Sequence, residues 1–246
     1  MVTMLEVLSR GVRGALLTLL AASCAVLAAC AGEGRDASTP PQAASPTPLV
    51  ARLPVTATVT LYGAEAGDYA DALAVGDFNG DGVRDVALAA AFADGPDNTR
   101  HDGGEVYVFL GPFAAGEKRD AEKGEENVII LGAAAGDQAG RSLAAGDVNG
   151  DGTSDLIVGA PYAHRPAAVM SAGADAGAAY VLFGSPSWGR DVTAIDLVAG
   201  ADLTVYGAKG GDLLGFAVAA ARLNEDKADD LIIGAFWADG PQDERD

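Results

Sequence analysis

Asp77-Phe78-Asn79-Gly80-Asp81-Gly82-Val83-Arg84-Asp85 returns further along the chain as Asp147-Val148-Asn149-Gly150-Asp151-Gly152-Thr153-Ser154-Asp155. Both stretches carry Asp, Asn and Asp at positions 1, 3 and 5, glycine at 6 and aspartate at 9. Oxygen-bearing side chains at alternate positions turn to one side when the backbone curls, and the glycine permits the bend. The pattern predicts two Ca²⁺ loops. Their candidate ligands are Asp77, Asn79, Asp81 and Asp85 with the carbonyl of Val83, and Asp147, Asn149, Asp151 and Asp155 with the carbonyl of Thr153. Asp, Asn and Gly also mark ordinary turns. Recurrence of the whole set in one phase favours the cation, which would relieve repulsion among three carboxylates.

The same spacing opens an EF-hand, and the residues that follow exclude that fold. An EF-hand needs a bidentate acid at position 12 and flanking helices, but that position is Leu88 in one copy and Val158 in the other. Val86-Ala87-Leu88-Ala89-Ala90 and Leu156-Ile157-Val158-Gly159-Ala160 are short apolar runs of strand length. Each loop therefore leads into a strand.

The loops sit inside a longer repeat. Strand-like runs ending at Tyr62, Leu131 and Tyr206 are each followed by Gly-Ala-x-x-Gly-Asp, at residues 63–68, 132–137 and 207–212. A second short strand then feeds the acidic loop, an apolar strand leaves it, and Gly104–Gly111 or Gly177–Gly184 supplies a fourth. Loops start at residues 77, 147 and, by alignment, 222. Four antiparallel strands per unit of roughly 70 residues predict an all-β chain built as propeller blades. The expected copies span 55–125, 126–200 and 201–246, the last lacking its closing strand.

Gly159-Ala160-Pro161 after the second loop, Gly215-Phe216 before the third and Gly234-Ala235 after it resemble the FG-GAP repeat of integrin α-subunit propellers. Similar repeats occur in bacterial surface proteins and in glycosylphosphatidylinositol-specific phospholipase D. The resemblance covers residues 55–246 and implies a seven-bladed β-propeller with calcium in loops on one face, of which this chain holds an incomplete part. The first copy departs from the motif, with Ala89-Ala90-Ala91 in place of Gly-Ala-Pro. In the third, Arg222 replaces the first ligand and Lys227 the glycine. No ion is expected there; the guanidinium is expected to lie against Asp226 and Asp230 and supply positive charge in place.

Residues 1–30 read as a signal peptide: Arg10 and Arg13 precede an apolar stretch that ends in Leu27-Ala28-Ala29-Cys30. That ending resembles a bacterial lipobox, which would make Cys30 the lipidated first residue of an exported, membrane-anchored protein. Residues 31–54, rich in Ser, Thr, Pro, Ala and Gly, read as a disordered tether.

A formal charge of −19 on 246 residues argues against nucleic acid as a partner. The two histidines, His101 and His164, fall in variable polar segments and are not spaced as a metal pair, so no catalytic constellation is expected. The expected role is a calcium-binding propeller that engages a protein or glycan ligand, with membrane contact only through the lipid anchor. The alternatives are an accessory domain of a larger, phospholipase D-like exported hydrolase and a structural envelope component.

Overall fold

The computed structural model describes residues 3–10, 17–18, 57–166 and 174–239. The expected lipobox and the tether lie outside the described residues. From the region expected as a leader, β1 (Thr3–Arg10) and β2 (Leu17–Thr18) are described as a hairpin, with β1 parallel to β3 (Ala57–Ala66). An open ladder edge on β3 takes this extended segment as a partner.

Two antiparallel meanders follow. The first runs β4 (Ala70–Gly76), β5 (Asp85–Ala90), β6 (Glu105–Phe109) and, across the short β7 (Lys118–Asp120), β8 (Val128–Leu131). The second runs β9 (Ser142–Gly146), β10 (Asp155–Ala160), β11 (Ala178–Leu182) and, across β12 (Ala194–Asp196), β13 (Leu203–Tyr206). β14 (Leu214–Ala221) and β15 (Asp230–Ala235) begin a third sheet. Strands dominate; the α-helix among the described residues is the single turn α1 (Leu197–Gly200). These are four-stranded propeller blades, as the repeat predicts.

The sheets are cut one strand later than the repeat suggests. The strand expected to open the second copy closes the first sheet as β8, and the strand expected to open the third closes the second sheet as β13. Each sheet is then sewn to the one before it. β12 leaves the second sheet's path to pair in parallel with β8, as β7 does with β3.

Stacked sheets explain the continuous apolar runs. In β5, Ala87 and Ala89 pack towards the second sheet, while Val86, Leu88 and Ala90 pack towards β3. β6 does the same with Val106 and Val108 on one face and Tyr107 and Phe109 on the other. A strand covered on both faces has no solvent side to alternate with. Each fully buried Val, Leu or Phe contributes about 2 kcal/mol. β15 carries the similar sequence Asp-Leu-Ile-Ile-Gly-Ala, but among the described residues no further sheet covers it, and Ile232 is 41% exposed.

Candidate metal centres

The β4–β5 and β9–β10 corners are the two acidic loops, and they fold alike. The Asp77 carboxylate accepts from the amides of Asp81 (3.0 Å) and Gly82 (2.8 Å); Asp147 accepts from Asp151 (3.0 Å) and Gly152 (2.9 Å). Asn79 accepts from the Asp81 amide at 3.1 Å and Asp81 from the Val83 amide at 2.8 Å. Asn149 and Asp151 repeat both bonds at 2.8 and 2.7 Å. The bends require φ of +71° and +85° at Gly80 and Gly82, and +76° and +92° at Gly150 and Gly152.

The ninth residue plays a different part. Asp85 and Asp155 are fully buried. Asp85 accepts from Phe78 at the loop entrance (2.8 Å) and from Gly111 after β6 (2.9 Å). Asp155 accepts from Val148 (2.8 Å), Asn149 (3.2 Å) and Gly184 after β11 (3.0 Å). One carboxylate thus ties the loop to the far end of the third strand. Burial raises the pKa of both; the amides oppose it, while the charges of Asp81 and Asp77 push Asp85, and that of Asp151 pushes Asp155, further upward. Asp151 is held below the usual range, chiefly by the Thr153 amide.

The donor set suits a hard cation: carboxylate and amide oxygens at positions 1, 3, 5 and 9, and no nitrogen or sulfur. Oxygens that each accept one or two amides retain further lone pairs. Among the described residues, three carboxylate or imidazole ligand atoms within 4.8 Å of one another occur at Asp94, His101 and Asp102, at the opposite end of the first sheet. The acidic loops are spread wider than this, their carboxylates drawn to the loop amides. A cation would have to draw them inward.

The third corner keeps the loop shape without its first acid. Asn224 accepts from Asp226 (2.8 Å), Asp226 from Ala228 (3.1 Å) and Asp230 from Leu223 (2.8 Å). The expected ion pairs of Arg222 with Asp226 and Asp230 are not formed. Its guanidinium donates to the Lys227 carbonyl at 2.8 Å, closing the loop as a side-chain donor where the other loops have a carboxylate acceptor. Asp230 instead receives the Asn224 side chain at 2.9 Å.

A contact between loops escapes sequence reading. The Asp77 amide donates to Ser154 Oγ (3.1 Å) while the Ser154 amide donates back to the Asp77 carbonyl (2.9 Å). Asp147 and Asp229 repeat this at 3.0 and 2.7 Å. The eighth loop residue therefore caps the first residue of the preceding loop. Phe78 also stacks on Trp188 of the second sheet, ring centres 5.9 Å apart.

At the other end of the strands the sheets are joined by the Gly-Ala-x-x-Gly-Asp turns. The closing aspartate is the pin: Asp137 accepts from the Ala134 amide (3.0 Å) and Asp212 from Lys209 (2.8 Å). Arg100 and Arg165, from the preceding polar segments, donate to the carbonyls of the opening glycines Gly132 and Gly207. His101 and His164 are exposed, as expected of loop positions. Each faces an aspartate, Asp94 at 2.9 Å and Asp175 at 3.9 Å.

The FG-GAP repeat family matches residues 69–109 and 139–182, which cover β4–β6 and β9–β11 with the acidic loop inside each. Integrin alpha-PS2 of Drosophila melanogaster is 30% identical over 185 residues, 73% of this chain and 12% of that protein. Integrin alpha-PS5 of the same organism is 35% identical over 118 residues, 47% of this chain and 11% of the relative. Phosphatidylinositol-glycan-specific phospholipase D of Homo sapiens is 37% identical over 98 residues, 40% of this chain and 11% of that enzyme. The matched region thus spans only about a tenth of the length of these relatives. With its blade topology, twin acidic corners and matched repeats, the chain is an integrin α-like FG-GAP repeat protein.

Proposed function

We propose that the chain is a calcium-binding propeller module of an exported lipoprotein, anchored through Cys30, and that it binds a protein or glycan ligand rather than catalysing a reaction. The observation that carries the calcium reading is the shared hydrogen-bond pattern of the loops at residues 77–85 and 147–155, whose hard oxygen donors bond to loop amides and whose carboxylates form no ion pair among the described residues. Asp77, Asn79, Asp81 and Asp85 with the Val83 carbonyl would hold one ion, and Asp147, Asn149, Asp151 and Asp155 with the Thr153 carbonyl the other. The bound ion supplies positive charge and fixed geometry at the corner. The chain's own part is to clasp neighbouring sheets through Ser154 and Asp229, leaving a rigid surface for recognition. The ligand, the anchor and the site of action rest on the sequence motifs and on likeness to integrin α-subunits. Among the described residues no helix is long and apolar enough to cross a membrane.

A second reading, as an accessory domain of a larger exported hydrolase, draws on the 37% identity to phosphatidylinositol-glycan-specific phospholipase D. Thermal melting tests the calcium reading. In excess Ca²⁺ the full chain melts higher than in chelator, because a ligand that binds only the folded state stabilises by mass action, about 2.7 kcal/mol at a hundredfold excess over Kd. Asp77→Ala and Asp147→Ala each remove part of the increment, and Arg222→Ala removes none. An increment untouched by either aspartate substitution would place the ion elsewhere.

A further inference from the structure

The structure assigns a second binding site, remote from the acidic loops: a cavity of about 440 Å³ in the second sheet whose lining (Asp137, Tyr180, Tyr206, Leu197, Val198 and Pro166 among them) fits a primary ammonium group on an aliphatic chain. The cavity opens beside the Gly-Ala-x-x-Gly-Asp turn of residues 132–137, at the end of the strands away from residues 147–155. Its occupant does not depend on the calcium reading.

The first sheet holds a cavity of about 510 Å³ at the equivalent place, and comparison of the two shows what sets this lining apart. The equivalent place in the first sheet is lined by Glu65, Asp68, Asp94 and Glu105, and there the Tyr107 hydroxyl donates to Glu105 at 2.5 Å. In the second sheet Tyr180 matches Tyr107, but Ala178 stands where Glu105 would be. The tyrosine therefore lacks the carboxylate partner that Tyr107 has. Leu197 and Val198 of α1, with Pro166, supply apolar walls.

Asp137 gives the cavity its sign. It is only 4% exposed and uses Oδ2 for the Ala134 amide, which leaves Oδ1 without a hydrogen-bond partner among the described residues. Burial raises its pKa to about 6, and the ionisable group that lowers it is His164 on the cavity wall. Its charge in turn raises the pKa of Tyr180 and Tyr206, which therefore stay neutral across the physiological range, with burial the larger cause in both. A desolvated carboxylate in a cavity also lined by two tyrosines and by aliphatic side chains complements a cation with an alkyl tail. The carboxylate takes the charge, the rings their quadrupole attraction and the wall the methylenes.

Two sources share this chemistry, a free aliphatic amine and a lysine side chain of a protein. The test uses the full chain and calorimetric titration with n-butylammonium chloride, n-butanol as the neutral isostere, and Nα-acetyl-lysine N-methylamide as the protein-like probe. The expected Kd for n-butylammonium at pH 7.5 is of order 1 mM, with n-butanol at least about tenfold weaker. Binding of the blocked lysine with equal or greater affinity assigns the site to protein lysines; its exclusion assigns it to small amines. Asp137→Asn, which retains an oxygen for the Ala134 amide, weakens n-butylammonium at least about tenfold, whereas Asp191→Asn on the exposed surface leaves it unchanged.

A measurement on the unaltered protein guards against a variant that fails to fold. Lowering the pH from 7.5 to 5 protonates Asp137, which shares the cavity with His164, Tyr180 and Tyr206, so affinity for the ammonium falls several-fold while that for n-butanol stays level. Undetectable n-butylammonium binding at roughly 30 mM, equal affinity for amine and alcohol, or a pH-independent Kd would each overturn the assignment.

Discussion

Asp155→Ala lowers the unfolding free energy by about 3 kcal/mol, a substantial part of the 5–15 kcal/mol that stabilises a typical domain. The carboxylate is fully buried and accepts three backbone amides, from Val148, Asn149 and Gly184. Alanine leaves all three donors without their acceptor, the Gly184 amide in a buried site; hydrogen bonds to a charged group contribute about 1.5–3 kcal/mol each, and relief of the buried charge returns part of that loss. Asp155→Asn keeps one oxygen acceptor and costs about half as much. Urea denaturation measures both, through a lowered midpoint at unchanged slope. A loss below about 1 kcal/mol for alanine would mean that the corner is not held by this residue.

Gly177→Ala is expected to be as damaging, for a steric reason. Gly177 has φ of +80°, and a Cβ there would lie 2.2 Å from the Leu214 carbonyl oxygen and 2.3 Å from its nitrogen. Leu214 is itself fixed, its amide donating to the Ala176 carbonyl at 3.1 Å, so backbone meets backbone with no side chain to swing aside. Left-handed strain of about 1 kcal/mol adds to an overpacking cost of about 1–3 kcal/mol. Gly152→Ala isolates the first contribution, since Gly152 has φ of +92° with nothing within 4 Å of the added carbon. Equal losses for the two substitutions, measured by the same denaturation, would show that close approach of the second and third sheets at Gly177 carries no weight. Gly104, with φ of +87° and the Ala139 oxygen 2.0 Å from where a Cβ would stand, is the same joint one sheet earlier.

Much of this architecture is legible in the residues because the loops announce themselves. Alternate oxygen side chains followed by glycine, twice in one phase and each time running into an apolar strand, specify both the corners and the strands flanking them. The phase of the sheets is not legible. A periodic sequence has no absolute origin, and only hydrogen bonding shows that residues 128–131 belong with the strands before them. The caps between loops are also hidden, because the eighth positions are Arg84, Ser154 and Asp229, three residues with no common signature. Charge alone directs Arg222 to the carboxylates, whereas a carbonyl within its own loop lies in easier reach. Asp137 reads as a turn residue, and so it is. Its burial comes from β13 and α1, which reach it from some sixty residues away in sequence and leave no trace in the turn motif.

The acidic loops decide the rest, and calorimetric titration of the full chain with CaCl₂ addresses them most directly. Two equivalents of Ca²⁺ are expected to be taken up, falling to one in either Asp77→Ala or Asp147→Ala and remaining two in Arg222→Ala. A folded chain that takes up no Ca²⁺ at millimolar concentration, or that still binds two ions after either aspartate is removed, would contradict the calcium reading.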